Sequence, residues 1–215
     1  MLLTTALLVF SAAAAETVPA DLAAAFRVPA CSTAAAAGWP GFDDPWLKGR
    51  APKAWTVQDA LARWEPAPST PSFKRVLVDV DASGKSSAKP ALSLFGMLAS
   101  GKTPKAGEWL DESLAYARVR GDYALGKAGT VAVSGRGECA LGVVEHNARQ
   151  ACGGGPEAAC RRATLHLDCG VKDGVQLLVT ATTPGYPVRG APAGKAAEAL
   201  AQFKVFLCTL ESKGR

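Results

Sequence analysis

Hydrophobic and polar positions change period several times along this chain, and the changes mark its elements. Residues 73–80 alternate, with Val76, Val78 and Val80 on one side of a predicted strand, and Asp81-Ala82-Ser83-Gly84 follows as a turn. Alternation returns between Leu114 and Val133, where Tyr116, Arg118 and Arg120 share one face and Ala117 and Val119 the other. Two half-buried strands are predicted there. Three more are predicted at 138–147, 162–170 and 174–182, separated by Gly153-Gly154-Gly155-Pro156 and Lys172-Asp173-Gly174.

Helical spacing is clearest at the end of the chain. Ala196, Leu200, Phe203, Leu207 and Leu210 form one stripe, and Gly214 follows as a stop. Thr56 is placed to cap a helix over Val57–Glu65, with Val57, Ala60, Leu61 and Trp64 as its apolar stripe. Pro90–Ala99 reads as a helix weakened by Gly96, and Glu108–Leu114 as a short helix. Short loops between strands imply antiparallel neighbours, so the pattern predicts an α+β fold: an antiparallel sheet of hairpins with the C-terminal helix on one face.

The first 71 residues differ in character. Leu2, Leu3, Ala6, Leu7, Leu8, Val9 and Phe10 form a short apolar run, and Ala13-Ala14-Ala15 supplies the small residues of a cleavage site. Residues 1–15 are expected to be an export signal. Residues 16–71 read as an irregular arm rich in Ala, Pro and Trp, and 72–215 as the α+β domain. The apolar run is too short to span a bilayer, and no later window approaches the roughly 20 residues a span needs. Export to the periplasm or the extracellular space is therefore the expected localisation.

Six cysteines, at 31, 139, 152, 160, 169 and 208, all lie beyond the predicted cut. An even set in an oxidising compartment is read as disulfides. If 138–147 pairs with 162–170 so that partners sum to 308, Cys139 faces Cys169, Leu141 faces Leu167 and Val143 faces Leu165. That register makes one face wholly apolar and brings the two thiols within bridging range. Cys152–Cys160 would then pinch the loop of the hairpin, and Cys31–Cys208 would tie the arm to the last helix. Loop-closure entropy assigns the largest stabilisation, about 5 kcal/mol at most, to that long closure.

Composition excludes several classes. The chain is 48% hydrophobic and 20% charged, which suits a globular domain. Net charge is +5, with five basic against six acidic residues over 16–70 and nineteen against thirteen from Pro71 onward. The basic residues are scattered, so nucleic-acid binding is not expected.

The candidate chemistry is sparse. In the 308 register His146 and His166 fall on the non-core face, roughly 13 Å apart at about 3.4 Å per residue, and are expected to be solvated strand residues. With the cysteines committed to bridges, neither a metal site nor a cysteine nucleophile is expected, and no cofactor is implied. Ser83-Gly84-Lys85-Ser86 lacks the first glycine of a phosphate loop, because Asp79 stands in its place. A calcium loop from Asp79 fails on Pro90, which occupies the position of the closing glutamate.

Two surfaces remain as ligand-binding candidates. Trp39, Trp46 and Trp55 lie in the arm, where exposed indoles could stack on sugar rings. Tyr116, Arg118 and Arg120 are expected to project from an open sheet face towards an anionic partner. The expected function is a non-enzymatic exported module that binds a protein or an envelope ligand, anionic or glycan. The alternative is an exported hydrolase of glycans or peptides using carboxylates such as Glu108, Asp111 and Glu112. A structural envelope component is the third reading.

Overall fold

The structure, a computed structural model, describes residues 24–43, 47–52, 56–59, 73–79, 91–98, 105–120, 123–147, 160–173, 175–187 and 192–213. The expected leader, Trp46, Trp55, the 81–84 turn, the glycine run and Cys152 lie outside these residues.

The main sheet is antiparallel throughout. Its strands are β3 (Thr56–Asp59), β4 (Phe73–Asp79), β5 (Ala91–Leu98), β6 (Tyr123–Val133), β7 (Gly137–Asn147), β8 (Cys160–Lys172) and β9 (Val175–Thr182), in the order β3-β4-β5-β9-β8-β7-β6. A two-residue strand, β10 (Tyr186–Pro187), continues the track of β9 along β8. A second, three-stranded sheet joins β1 (Gly41–Asp43), β2 (Leu47–Arg50) and β11 (Glu211–Ser212).

The β7–β8 pairing has the predicted register: Leu141 faces Leu167, Val143 faces Leu165 and Gly142 faces His166. Cys139–Cys169 closes that hairpin with a Cα separation of 4.2 Å, and Cys31–Cys208 joins the arm to the last helix at 5.2 Å. Cys160 is also disulfide-bonded, while its expected partner Cys152 is outside the described residues. The predicted break after β8 is a tight reversal, with Lys172 facing Val175 and Asp173 at φ 52°, a left-handed conformation that a short polar side chain tolerates.

Two helices cover opposite faces of the sheet. One is α1 (Glu108–Val119) and the other is the C-terminal α2 (Lys195–Thr209). Ala196, Ala199, Leu200, Phe203, Phe206 and Leu207 of α2 enter the main core with Leu141, Val143, Leu165, Leu167, Leu177 and Val179 from the sheet. The arm adds Phe26, Leu47 and Ala51 to this core, and the Phe42 ring stacks on Phe206 with centroids 5.9 Å apart.

Three sequence expectations are corrected. Thr56–Asp59 is a strand paired with β4, not the start of a helix. Ala91–Leu98 is a strand between β4 and β9, because a short apolar run serves a fully flanked strand as well as a helix. Residues 114–119 continue α1, so Tyr116 and Arg118 lie on a helix, with Arg120 at its C-cap, and only one strand, β6, follows.

Candidate functional site

Helix α1 is held by partners far from it in sequence. Leu110, Leu114 and Ala117 recur at helical spacing and pack on Val144 and Ala140 of β7. Directly beneath Leu110 is Gly142, where a Cβ would come within 2.5 Å of Leu110 Cδ1, so only glycine lets the helix seat this closely. The N-cap residue, Gly107, has no side chain to cap with. Asp168 of β8 supplies the cap instead: the Gly107 and Leu110 N–H groups donate to its Oδ2 at 3.0 and 3.2 Å, and the Gly170 N–H donates to Oδ1 at 2.8 Å. Asp168 is 0% exposed, so its charge is spent wholly on backbone donors.

The outward face of α1 is unlike the rest of the described surface. Among the described residues, the exposed large hydrophobic side chains are Tyr116, at 64%, and Val119, at 85%. They are three residues apart on one helix and therefore adjacent. The Arg120 guanidinium carbon stands 5.6 Å from the Tyr116 ring centroid, a cation–π distance. Arg118 is exposed beside Val119. Towards the N-terminus the face turns acidic, with Glu108, Asp111 and Glu112 all exposed, and Asp111 paired to Lys127 of β6 at 3.0 Å. Acid at the N-terminal end and base at the C-terminal end both suit the helix dipole.

His166 lies under this helix. The sequence placed it on the non-core face and expected it to be solvated; α1 covers that face, and the Trp109 ring packs on the imidazole with centroids 5.6 Å apart. Its Nδ1 is buried with no hydrogen-bond partner among the described residues. Burial, and after it the neighbouring His146, pull the His166 pKa down to about 4, so the ring is neutral in the fold.

A second polar group is buried on the opposite face, at the far end of the hairpin. Glu145, 4% exposed, accepts from the Tyr186 hydroxyl at 2.5 Å and from Arg161 at 3.0 Å. Burial, then the Glu145 carboxylate, push the Tyr186 hydroxyl far above its usual value. It therefore stays protonated and donates, and the network locks β10 to the β7–β8 hairpin. A shallow depression of about 480 Å³, lined by Thr33, Ala34, Ala37, Arg50 and Thr209, lies near the Cys31–Cys208 end; there Arg50 donates to the Ala37 carbonyl at 3.0 Å.

Of the residues singled out from sequence, Tyr116 and Arg120 come together, on a helix rather than on a sheet face, while Arg118, two residues from each, points to another side of that helix. Trp39 packs half-buried against the main core. Trp46 and Trp55 are outside the described residues. Glu108, Asp111 and Glu112 are exposed on α1. Among the described residues no cluster of His, Cys, Asp and Glu could hold a metal ion, and no helix is long and apolar enough to cross a membrane. Val119, Asp168, Glu145 and Tyr186 were not singled out; the regular apolar–polar alternation of β8, with Asp168 between Leu167 and Cys169, was the available signal for Asp168.

No protein-family profile matches the chain, and no curated protein matches it. A crystal structure from Bacteroides thetaiotaomicron VPI-5482 is similar to it at 13% identity and a TM-score of 0.38, over 81% of this chain and 48% of that one. This chain thus spans about half the length of that chain.

Proposed function

We propose that this chain is an exported, non-enzymatic binding module, and that the outer face of α1 is its contact surface. The observation that carries this reading is the pair of exposed apolar side chains, Tyr116 and Val119, side by side on one helix and flanked by Arg120. Tyrosine and arginine dominate the energetics of protein contacts, because each combines large apolar area with directional polar groups. Their support is rigid, since α1 is capped by a buried carboxylate and seated on Gly142. A contact surface on such a helix loses little conformational entropy when it engages. Export is supported by the apolar leader and by the bridged cysteines, which persist in oxidising compartments.

A photo-crosslinking amino acid installed at Val119 tests the surface. Irradiation of the native envelope fraction is expected to give a discrete covalent product, suppressed by Tyr116→Ala together with Arg120→Ala. Irradiation that yields no product would remove α1 as a contact surface.

A further inference from the structure

We propose that Cys31–Cys208 is a thiol–disulfide exchange site, opened by a dithiol reductant while the fold and its buried bridge stay intact. The two bridges differ in access. Cys139 and Cys169 belong to the main core and are 0% and 8% exposed. Cys31 is exposed, in the irregular stretch from Arg27 to Thr33, and Cys208 is half-buried in the last turn of α2. Exchange needs an attacking thiolate to reach one sulfur in line with the bond that breaks. Cys31–Cys208 can therefore react from the folded state, whereas Cys139–Cys169 must wait for the core to open.

The surroundings of the bridge suit that attack. The shallow depression of about 480 Å³ is lined by Thr33 and Ala34, just after Cys31, and by Thr209, next to Cys208. Arg50 lines it too, steadied by the Ala37 carbonyl and by the Thr209 hydroxyl, which accepts from the Arg50 backbone N–H at 3.0 Å. A guanidinium there draws in a thiolate and offsets the negative charge that spreads over the three sulfurs during exchange.

The chemistry is a balanced pair of displacements. A thiolate of the dithiol bonds to Cys31 Sγ, and the bond to Cys208 breaks with its electron pair leaving on Cys208 Sγ, which takes up a proton. The second thiol of the reductant then loses its proton and attacks the mixed disulfide, releasing Cys31 as a thiolate that is protonated in turn. Two electrons pass to the bridge, and the reductant becomes a disulfide. The arm is not set loose by this step. Phe26 remains in the core, Lys204 still donates to the Ala25 carbonyl, and the Arg50–Thr209 bonds persist. The two thiols stay near their bridged separation, 5.2 Å between Cα atoms, so an oxidant can restore the bond.

The test is graded reduction of the oxidised protein by dithiothreitol in native buffer, with thiols trapped by alkylation and assigned by peptide mapping. Labels on Cys31 and Cys208 should appear about tenfold faster than labels on Cys139 and Cys169, while the circular dichroism stays that of the oxidised protein. With the monothiol glutathione as probe, the mixed disulfide should form on Cys31 rather than on Cys208. Arg50→Gln should slow its formation about threefold, and Arg50→Lys should restore the rate. Equal or reversed labelling, a Cys31–Cys208 bridge that yields only once the fold is lost, or an adduct confined to Cys208 overturns the proposal. A rate unchanged by Arg50→Gln overturns the part given to Arg50.

Discussion

His166 is the residue whose environment departs furthest from what its neighbours in sequence suggest. Thr164, His166 and Asp168 alternate with Leu165, Leu167 and Cys169, and an alternating strand ordinarily turns its polar set to water. Here that set faces α1, which converts Asp168 into a helix cap and His166 into a neutral, half-buried ring. Which face is apolar could be read from β8; that the other face is also covered could not, because the covering element lies about 50 residues earlier. The consequence is a pH dependence. His166 titrates near 6.5 when unfolded and near 4 in the fold, so the unfolded chain binds the extra proton between those values. Stability therefore falls as pH is lowered through that window, by about 3 kcal/mol in total, and the loss levels off below pH 4. Urea unfolding at pH 7 and pH 4.5 should show a larger drop in midpoint for the wild type than for His166→Phe; equal drops would refute the assignment.

Helix α1 shows how one segment satisfies two periods. From Ala115 to Arg120 apolar and polar positions alternate as in a strand, yet Leu110, Leu114 and Ala117 also keep helical spacing. Local pattern leaves the two nearly balanced, and contacts distant in sequence decide: the Asp168 carboxylate at the N-terminus and the Gly142 seat under Leu110. The same ambiguity explains Ala91–Leu98, whose nearly unbroken apolar run has no period and becomes a strand because β4 and β9 flank it. By contrast, the C-terminal helix has one unambiguous stripe and forms as its sequence predicts. Gly142→Ala tests the seat. It should destabilise the fold by about 1 to 3 kcal/mol and shift the emission of Trp109, as Leu110 is pushed outward. Combined with Leu110→Ala it should cost less than the sum of the two single changes, a coupling read by a double-mutant cycle.

At the scale of the whole molecule, the hairpin register and the two bridges were the most legible features. Facing apolar residues and facing cysteines constrain each other, so a slip of one position would break both at once. The arm was less legible, since β1, β2 and β3 are three or four residues long and owe their pairing to β11 and β4. Cys31–Cys208 has a sequence separation of 177, and its removal by paired serine substitutions should lower stability by up to about 5 kcal/mol, measured as the denaturant midpoint at fixed pH. The same bond also imposes an order of events. Among these six cysteines Cys31 is made first and Cys208 last, so the partner of Cys31 does not exist until the four between them have been made. Until then Cys31 is exposed to premature pairing with the hairpin thiols. Maturation of this chain therefore has to keep that thiol reduced, or reshuffle it, before the fold is sealed.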